Sequence, residues 1–161
     1  MVGKGAYWCN VRFPDMLYQQ GLSSHKDEKI LIQLDTEAQR FDFTPTSYIL
    51  NRFGVFTQLQ VTPLDLILAQ KCYAVLNRPR NKGRDFYDIV FLLGRNIKPN
   101  YAYLDQKVGI KTPGELKDRL VAHCQTLNME EQGQDVAKFL FHPNDVRRVT
   151  WFVDLIKQTE L

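Results

Sequence analysis

Leu64-Asp65-Leu66-Ile67-Leu68-Ala69-Gln70-Lys71-Cys72-Tyr73-Ala74-Val75-Leu76, then a short basic connection, then Asp85-Phe86-Tyr87-Asp88-Ile89-Val90-Phe91-Leu92-Leu93: this stretch decides how the chain is read. At about 100° per residue, the first segment forms a helix with Leu64, Ile67, Leu68 and Val75 on one apolar face. Lys71 falls in the middle of that face. The second segment opens a helix at Asp85, which shares a stripe with Ile89, Leu92 and Leu93. A charge among apolar side chains is costly unless it is paired or has chemistry to perform. Two such charges on consecutive helices point to a site. Structural uses stand beside that reading. Lys71 could lay its stem on the core and keep its ammonium in water. Asp85 could sit in a first turn, where the helix dipole favours an acid. The two could also form a purely structural ion pair.

Upstream of this stretch the pattern is that of strands. Residues 6–13 are aromatic and β-branched in part and end at Pro14; residues 15–20 read as a short helical turn. Residues 29–35 alternate, with Ile30, Ile32 and Leu34 on one side and Leu31, Gln33 and Asp35 on the other, so a half-buried strand closing on Asp35 is expected. Residues 48–50 and 55–61 read as a strand pair around Gly54.

Downstream the pattern is helical. Thr62-Pro63-Leu64-Asp65 supplies a cap, a proline for the first helical position and an early acid. Gly94 is the expected stop. A weak helix follows over 101–108, and Thr112-Pro113-Gly114-Glu115 is a capping box ahead of the stripe Leu116, Leu120, Cys124, Leu127. Residues 136–141 read as a short apolar segment, and Gln132-Gly133-Gln134 as a hinge before a last amphipathic helix over 144–156 with Val146, Val149, Val153 and Ile156 inward. Strands first and helices after give an α+β chain: a small mixed or antiparallel sheet over 1–61, then a helical bundle over 62–161.

The chain has 161 residues, 44% of them hydrophobic and 24% charged, with a net charge of +3. That is ordinary for a globular protein and argues against disorder. The mild positive balance permits nucleic-acid binding without demanding it. The cations do cluster: Arg78, Arg80, Lys82 and Arg84 fall in the connection between the two charged helices. They read either as a solvated turn or as a cradle for phosphates. Cys9, Cys72 and Cys124 are widely spaced, with no Cys-x-x-Cys and no His/Cys cluster, so neither a zinc site nor a disulfide framework is expected. His25, His123 and His142 are scattered and read as structural or exposed. Haem is not expected either. No signal peptide and no run of about 20 apolar residues is present, so a cytoplasmic protein without membrane contact is expected.

Lys71 on one helix, then Arg84-Asp85-x-x-Asp88 followed by hydrophobic residues on the next, resembles the second half of the AbiEii/AbiGii nucleotidyltransferase toxins. The strand of residues 29–35 and the helix entry at 61–65 extend the likeness. The resemblance implies a partial nucleotidyltransferase-like sheet region, then the helical region that carries the motif. It implies Mg²⁺ and a nucleoside triphosphate, an acceptor such as tRNA or another RNA, and an antitoxin partner. By this likeness Lys71 neutralises triphosphate charge. Asp85 takes a proton from the attacking hydroxyl or orients Lys71, and Asp88 positions Arg84 or Lys71. Arg84, Lys82, Arg80 and Arg78 hold phosphate, and Asp35 is the residual metal ligand. The family opens on a Gly-Ser turn and an Asp-x-Asp strand, and this sequence contains neither. The expectation is therefore a chain that is weak or inactive by itself, since metal-assisted transfer needs converging carboxylates. A truncated sheet would also leave an open edge suited to self-association. The other reading is a non-catalytic module that binds nucleotide, RNA or a partner protein.

Overall fold

A computed structural model describes residues 6–37 and 40–161. The chain forms two compact units, Met1–Asp42 and Phe43–Leu161. The α+β class expected from the sequence is the one observed, but the strands form two separate hairpins rather than one sheet.

In the first unit β1 (Ala6–Phe13) and β2 (Ile30–Glu37) pair antiparallel, with Trp8 opposite Asp35 and Val11 opposite Ile32. A four-residue helix, α1 (Met16–Gln19), lies between them. Its entry at Asp15 is left-handed, with φ 57°. The half-burial expected of β2 is not found. Leu31, Ile32 and Leu34 lie on alternating faces, and all three are exposed. A two-stranded ribbon has no second layer to cover either face, so alternation alone does not bury one.

The second unit opens with another antiparallel hairpin, β3 (Thr46–Arg52) and β4 (Val55–Val61), in which Tyr48 faces Leu59 across the pair. Its turn needs left-handed backbone twice in succession, at Phe53 and at Gly54, the requirement of a tight hairpin turn. Helices follow: α2 (Leu64–Asn77), α3 (Gly83–Leu93), α4 (Tyr101–Val108), α5 (Pro113–Cys124), α6 (Met129–Ala137), a 3₁₀ turn (Pro143–Val146), α7 (Arg147–Thr150) and α8 (Phe152–Gln158). The largest fully buried side chains are all in this helical region. Phe86 of α3 meets Phe152 of α8 edge to face, with ring centroids 5.2 Å apart. Leu104, Leu116, Leu120 and Ile156 complete the packing from α4, α5 and α8. The capping box is present as expected, with Thr112 and Glu115 exchanging hydrogen bonds at the start of α5.

Several expected details change. Leu64 is exposed and Ile67 only half-buried; the buried residues of α2 are Leu66, Leu68, Ala69, Cys72 and Val75. On a helical wheel that arc runs from Val75 round to Leu66, which puts Lys71 at its edge rather than in its middle. The Gln132-Gly133-Gln134 hinge is instead the interior of α6. A Cβ on Gly133 would stand 2.8 Å from Thr150 Cγ2 and 3.1 Å from Val146 Cγ2, so this glycine is a packing residue. The last helix is broken at Trp151, whose φ of −99° and ψ of 15° leave the helical region. Phe152 is thereby turned into the core while Trp151 stays exposed. Among the described residues, no helix is long and apolar enough to cross a membrane.

Candidate functional site

The site is built at the junction of α2 and α3. Asp85 sits in the first turn of α3 and is 1% exposed. Its Oδ1 accepts from Lys71 Nζ at 3.0 Å, and its Oδ2 accepts from Arg78. Lys71 reaches across from α2 and also contacts Asp88 Oδ2 at 2.6 Å. Asp85 and Asp88, one helical turn apart, both hold the same ammonium. The cluster contains two cations and two carboxylates, and each of Asp85's oxygens is committed.

Burial alone would lower the Lys71 pKa. Hydrogen bonds and charge from Asp88 and Asp85 outweigh that cost and leave it raised above the ordinary 10.5. Lys71 therefore stays charged. Its ammonium carries three donors; two face Asp85 and Asp88, and the side chain remains 29% exposed.

Arg78 departs from its expected role. It ends α2 and turns to Asp85, so it belongs to the closed cluster. Arg80, Lys82 and Arg84 instead line a cleft of about 250 Å³ together with Asn81, Asp135, Lys138 and Phe139. Among the described residues, none of Arg80, Lys82, Arg84 and Lys138 forms an ion pair. The cleft thus sets four cations against the single carboxylate of Asp135.

Three local devices hold the connection in place. Asn81 Nδ2 donates to the carbonyl of Val75 at 3.1 Å, satisfying an orphan acceptor at the end of α2. The same nitrogen lies 3.0 Å from His123 Nε2 on α5. Asp135 Oδ2 accepts from the Gly83 N–H at 3.0 Å, capping α3 from α6. That cap explains why α3 begins at Gly83, ahead of the expected Asp85. Gly83 is required by a close approach: a Cβ there would stand 1.9 Å from the carbonyl oxygen of Gln132. His123, expected to be structural or exposed, is half-buried in this arrangement.

Asp135, Lys138 and Phe139 were not among the residues singled out by sequence. The signal that would have found them is the helical period of residues 129–137, with Asp135 and Lys138 three apart on one face. Asp35 lies on β2 in the first unit, where Gln33 Nε2 donates to both its oxygens at 3.1 Å. No group of three or more His, Cys, Asp or Glu among the described residues is arranged to hold a metal ion. The carboxylates nearest to such a role in the second unit, Asp85 and Asp88, are already taken by Lys71 and Arg78. The described residues do not fit a divalent metal site.

Over residues 10–145 the sequence matches the nucleotidyl transferase AbiEii toxin family, of the type IV toxin–antitoxin systems. The chain belongs to this family. The match takes in the first hairpin from Asn10 onward, the whole second hairpin, the Lys71–Asp85 junction and all four cations of the cleft. No curated protein and no solved structure matches the chain.

Proposed function

We propose that this chain binds a nucleoside triphosphate as a nucleotidyltransferase-type toxin, with Lys71 addressing the phosphates and an RNA hydroxyl, tRNA included, as acceptor. The observation that carries the reading is Lys71, kept charged and aimed by two aspartates while one ammonium donor is left over. A fixed cation facing phosphate oxygens lowers the barrier by electrostatic positioning, which is the main protein contribution to phosphoryl chemistry. In this reading Asp85 is a positioning residue: both its oxygens are engaged and it is buried, so it orients Lys71 rather than taking a proton. Asp88 fixes the second side of the same ammonium. Arg84, Lys82 and Arg80 supply the attraction for phosphate that the neutral cluster lacks.

Calorimetric titration with nucleoside triphosphates, parent against Lys71→Gln, tests this. The amide keeps a hydrogen bond for Asp85 but carries no charge. Binding reduced about tenfold or more supports the assignment, and unchanged affinity removes Lys71 from the site. Transfer from a labelled triphosphate onto RNA is the second measurement. A second reading, binding without transfer, is favoured by the lack of a metal-holding cluster among the described residues. Nucleotide binding with no transfer would select it. An antitoxin partner accords with the family, and the exposed apolar residues of the two hairpins, Trp8 and Phe56 among them, suit contact with such a partner or with a second copy.

A further inference from the structure

We propose that the cleft between the α2–α3 connection and the end of α6 receives the phosphate chain of a nucleotide without a divalent metal, with the Phe139 ring as the platform for the base. This deepens the triphosphate reading and rests on it, but it moves the main grip away from Lys71.

The argument begins with charge. A phosphate chain is drawn to a site in proportion to the charge not already neutralised there. The Lys71 cluster has none in excess, with its two cations matched by Asp85 and Asp88. The cleft sets Arg80, Lys82, Arg84 and Lys138 against Asp135 alone. Metal ions ordinarily bridge a triphosphate to several converging protein carboxylates, and this cleft is lined by one, Asp135, whose Oδ2 also accepts from the Gly83 N–H. Arginine and lysine donors can neutralise the same oxygens directly, arginine in bidentate fashion. Phe139 lines the cleft and is 61% exposed, and the Lys138 ammonium lies 5.2 Å from its ring centroid. An exposed ring beside cations suits a base stacked next to its own phosphates. Asp135 is the one group that opposes an anion, and its removal should tighten binding.

The test is calorimetry on the whole chain with inorganic tripolyphosphate and with ATP, each in EDTA and in excess Mg²⁺ at low salt. Both ligands are expected to bind in EDTA and to bind more weakly in Mg²⁺, because the metal removes ligand charge. Arg84→Gln and Lys138→Gln should each weaken both ligands about tenfold, the scale of one charged hydrogen bond. Lys157→Gln, a distant exposed cation on α8, should leave both unchanged. Asp135→Asn, which keeps an acceptor for Gly83, should strengthen both several-fold, and Phe139→Ala should weaken ATP alone. Binding that appears only with Mg²⁺ overturns the inference. So does binding lost in Lys71→Gln but indifferent to Arg84→Gln and Lys138→Gln, an outcome that leaves Lys71 as the triphosphate residue. Loss in the cleft variants with Lys71→Gln unaffected upholds the inference and dismisses the role of Lys71. Absence of binding in every condition overturns both.

Discussion

Two charged regions meet at the start of α3 and are organised in opposite ways. One is closed: Asp85 is buried, and Lys71 and Arg78 are spent on it. The other is open: Arg80, Lys82, Arg84 and Lys138 surround a cleft and make no ion pair among the described residues. In the sequence Arg78, Arg80, Lys82 and Arg84 form one series, a cation at every second position. The fold divides that series, because Arg78 is the residue that ends α2 beside Asp85. Cations that look equivalent in a sequence thus separate into stabilising and binding groups according to whether a buried acid lies within reach.

The largest effect should come from the closed region. Asp85→Ala removes the only buried acid among the described residues and should cost roughly 3 kcal/mol, the low end for a broken buried pair because Lys71 and Arg78 reach solvent. Urea unfolding would read that directly, and thermal melting should fall by about 6–12 °C. The cleft variants Arg84→Gln and Lys82→Gln should stay within about 0.5 kcal/mol of the parent. An Asp85→Ala protein as stable as the parent would erase the distinction.

Next in size is the joint between the regions. Gly83→Ala should cost about 2 kcal/mol, since the new methyl meets backbone rather than a movable side chain. Gly114→Ala, in the first turn of α5 with nothing within 4 Å of the added carbon, should be neutral or stabilising by up to about 1 kcal/mol. Equal melting temperatures for the two variants would mean that α3 and α6 are not in close contact.

A smaller effect is the pH dependence of the Lys71 pairing. The folded state holds its pKa above 10.5, so the stability it contributes is fully present below that value. It is lost as pH rises through the folded pKa. The stability difference between parent and Lys71→Gln should be constant through neutral and mildly alkaline pH and shrink only above the ordinary lysine range. Denaturation series in alkaline buffers would show it, and a difference that shrinks already near neutrality would contradict the pairing.

The least costly test concerns the core beneath the closed region. Burial pushes the thiols of Cys72 and Cys124 up to about 12, while Cys9 on β1 is exposed. A thiol reagent at neutral pH should find one fast cysteine, and rapid labelling of Cys72 would mean that α2 is loosely packed.

Much of this was legible beforehand, and the exceptions share a cause. Local chemistry carried α4, the α5 capping box and the pairing of the second hairpin, because caps, turns and alternation act within a few residues. The Lys71–Asp85 ion pair stood among the alternatives the sequence left open, and the structure selects it. What failed depended on neighbours distant in sequence. Gly133 read as a hinge because nothing local reveals Thr150 and Val146 packed against it. The strand that closes on Asp35 read as half-buried because alternation describes a strand but not whether a second layer covers it. Asp135, Lys138 and Phe139 reach the cleft only through the approach of α6 to Gly83, some fifty residues earlier in the chain.

The contact between Asn81 and His123 has a spectroscopic consequence. The Asn81 amide nitrogen carries only donors, and it is already turned to the Val75 carbonyl. The facing ring nitrogen, Nε2, must therefore offer a lone pair, so the neutral ring carries its hydrogen on Nδ1. Nitrogen-15 spectra distinguish the two tautomers of a single histidine. The imidazole of His123 is in that sense a label already installed in the chain, reporting whether the connection that carries Arg80 and Lys82 is seated against α5 or released from it.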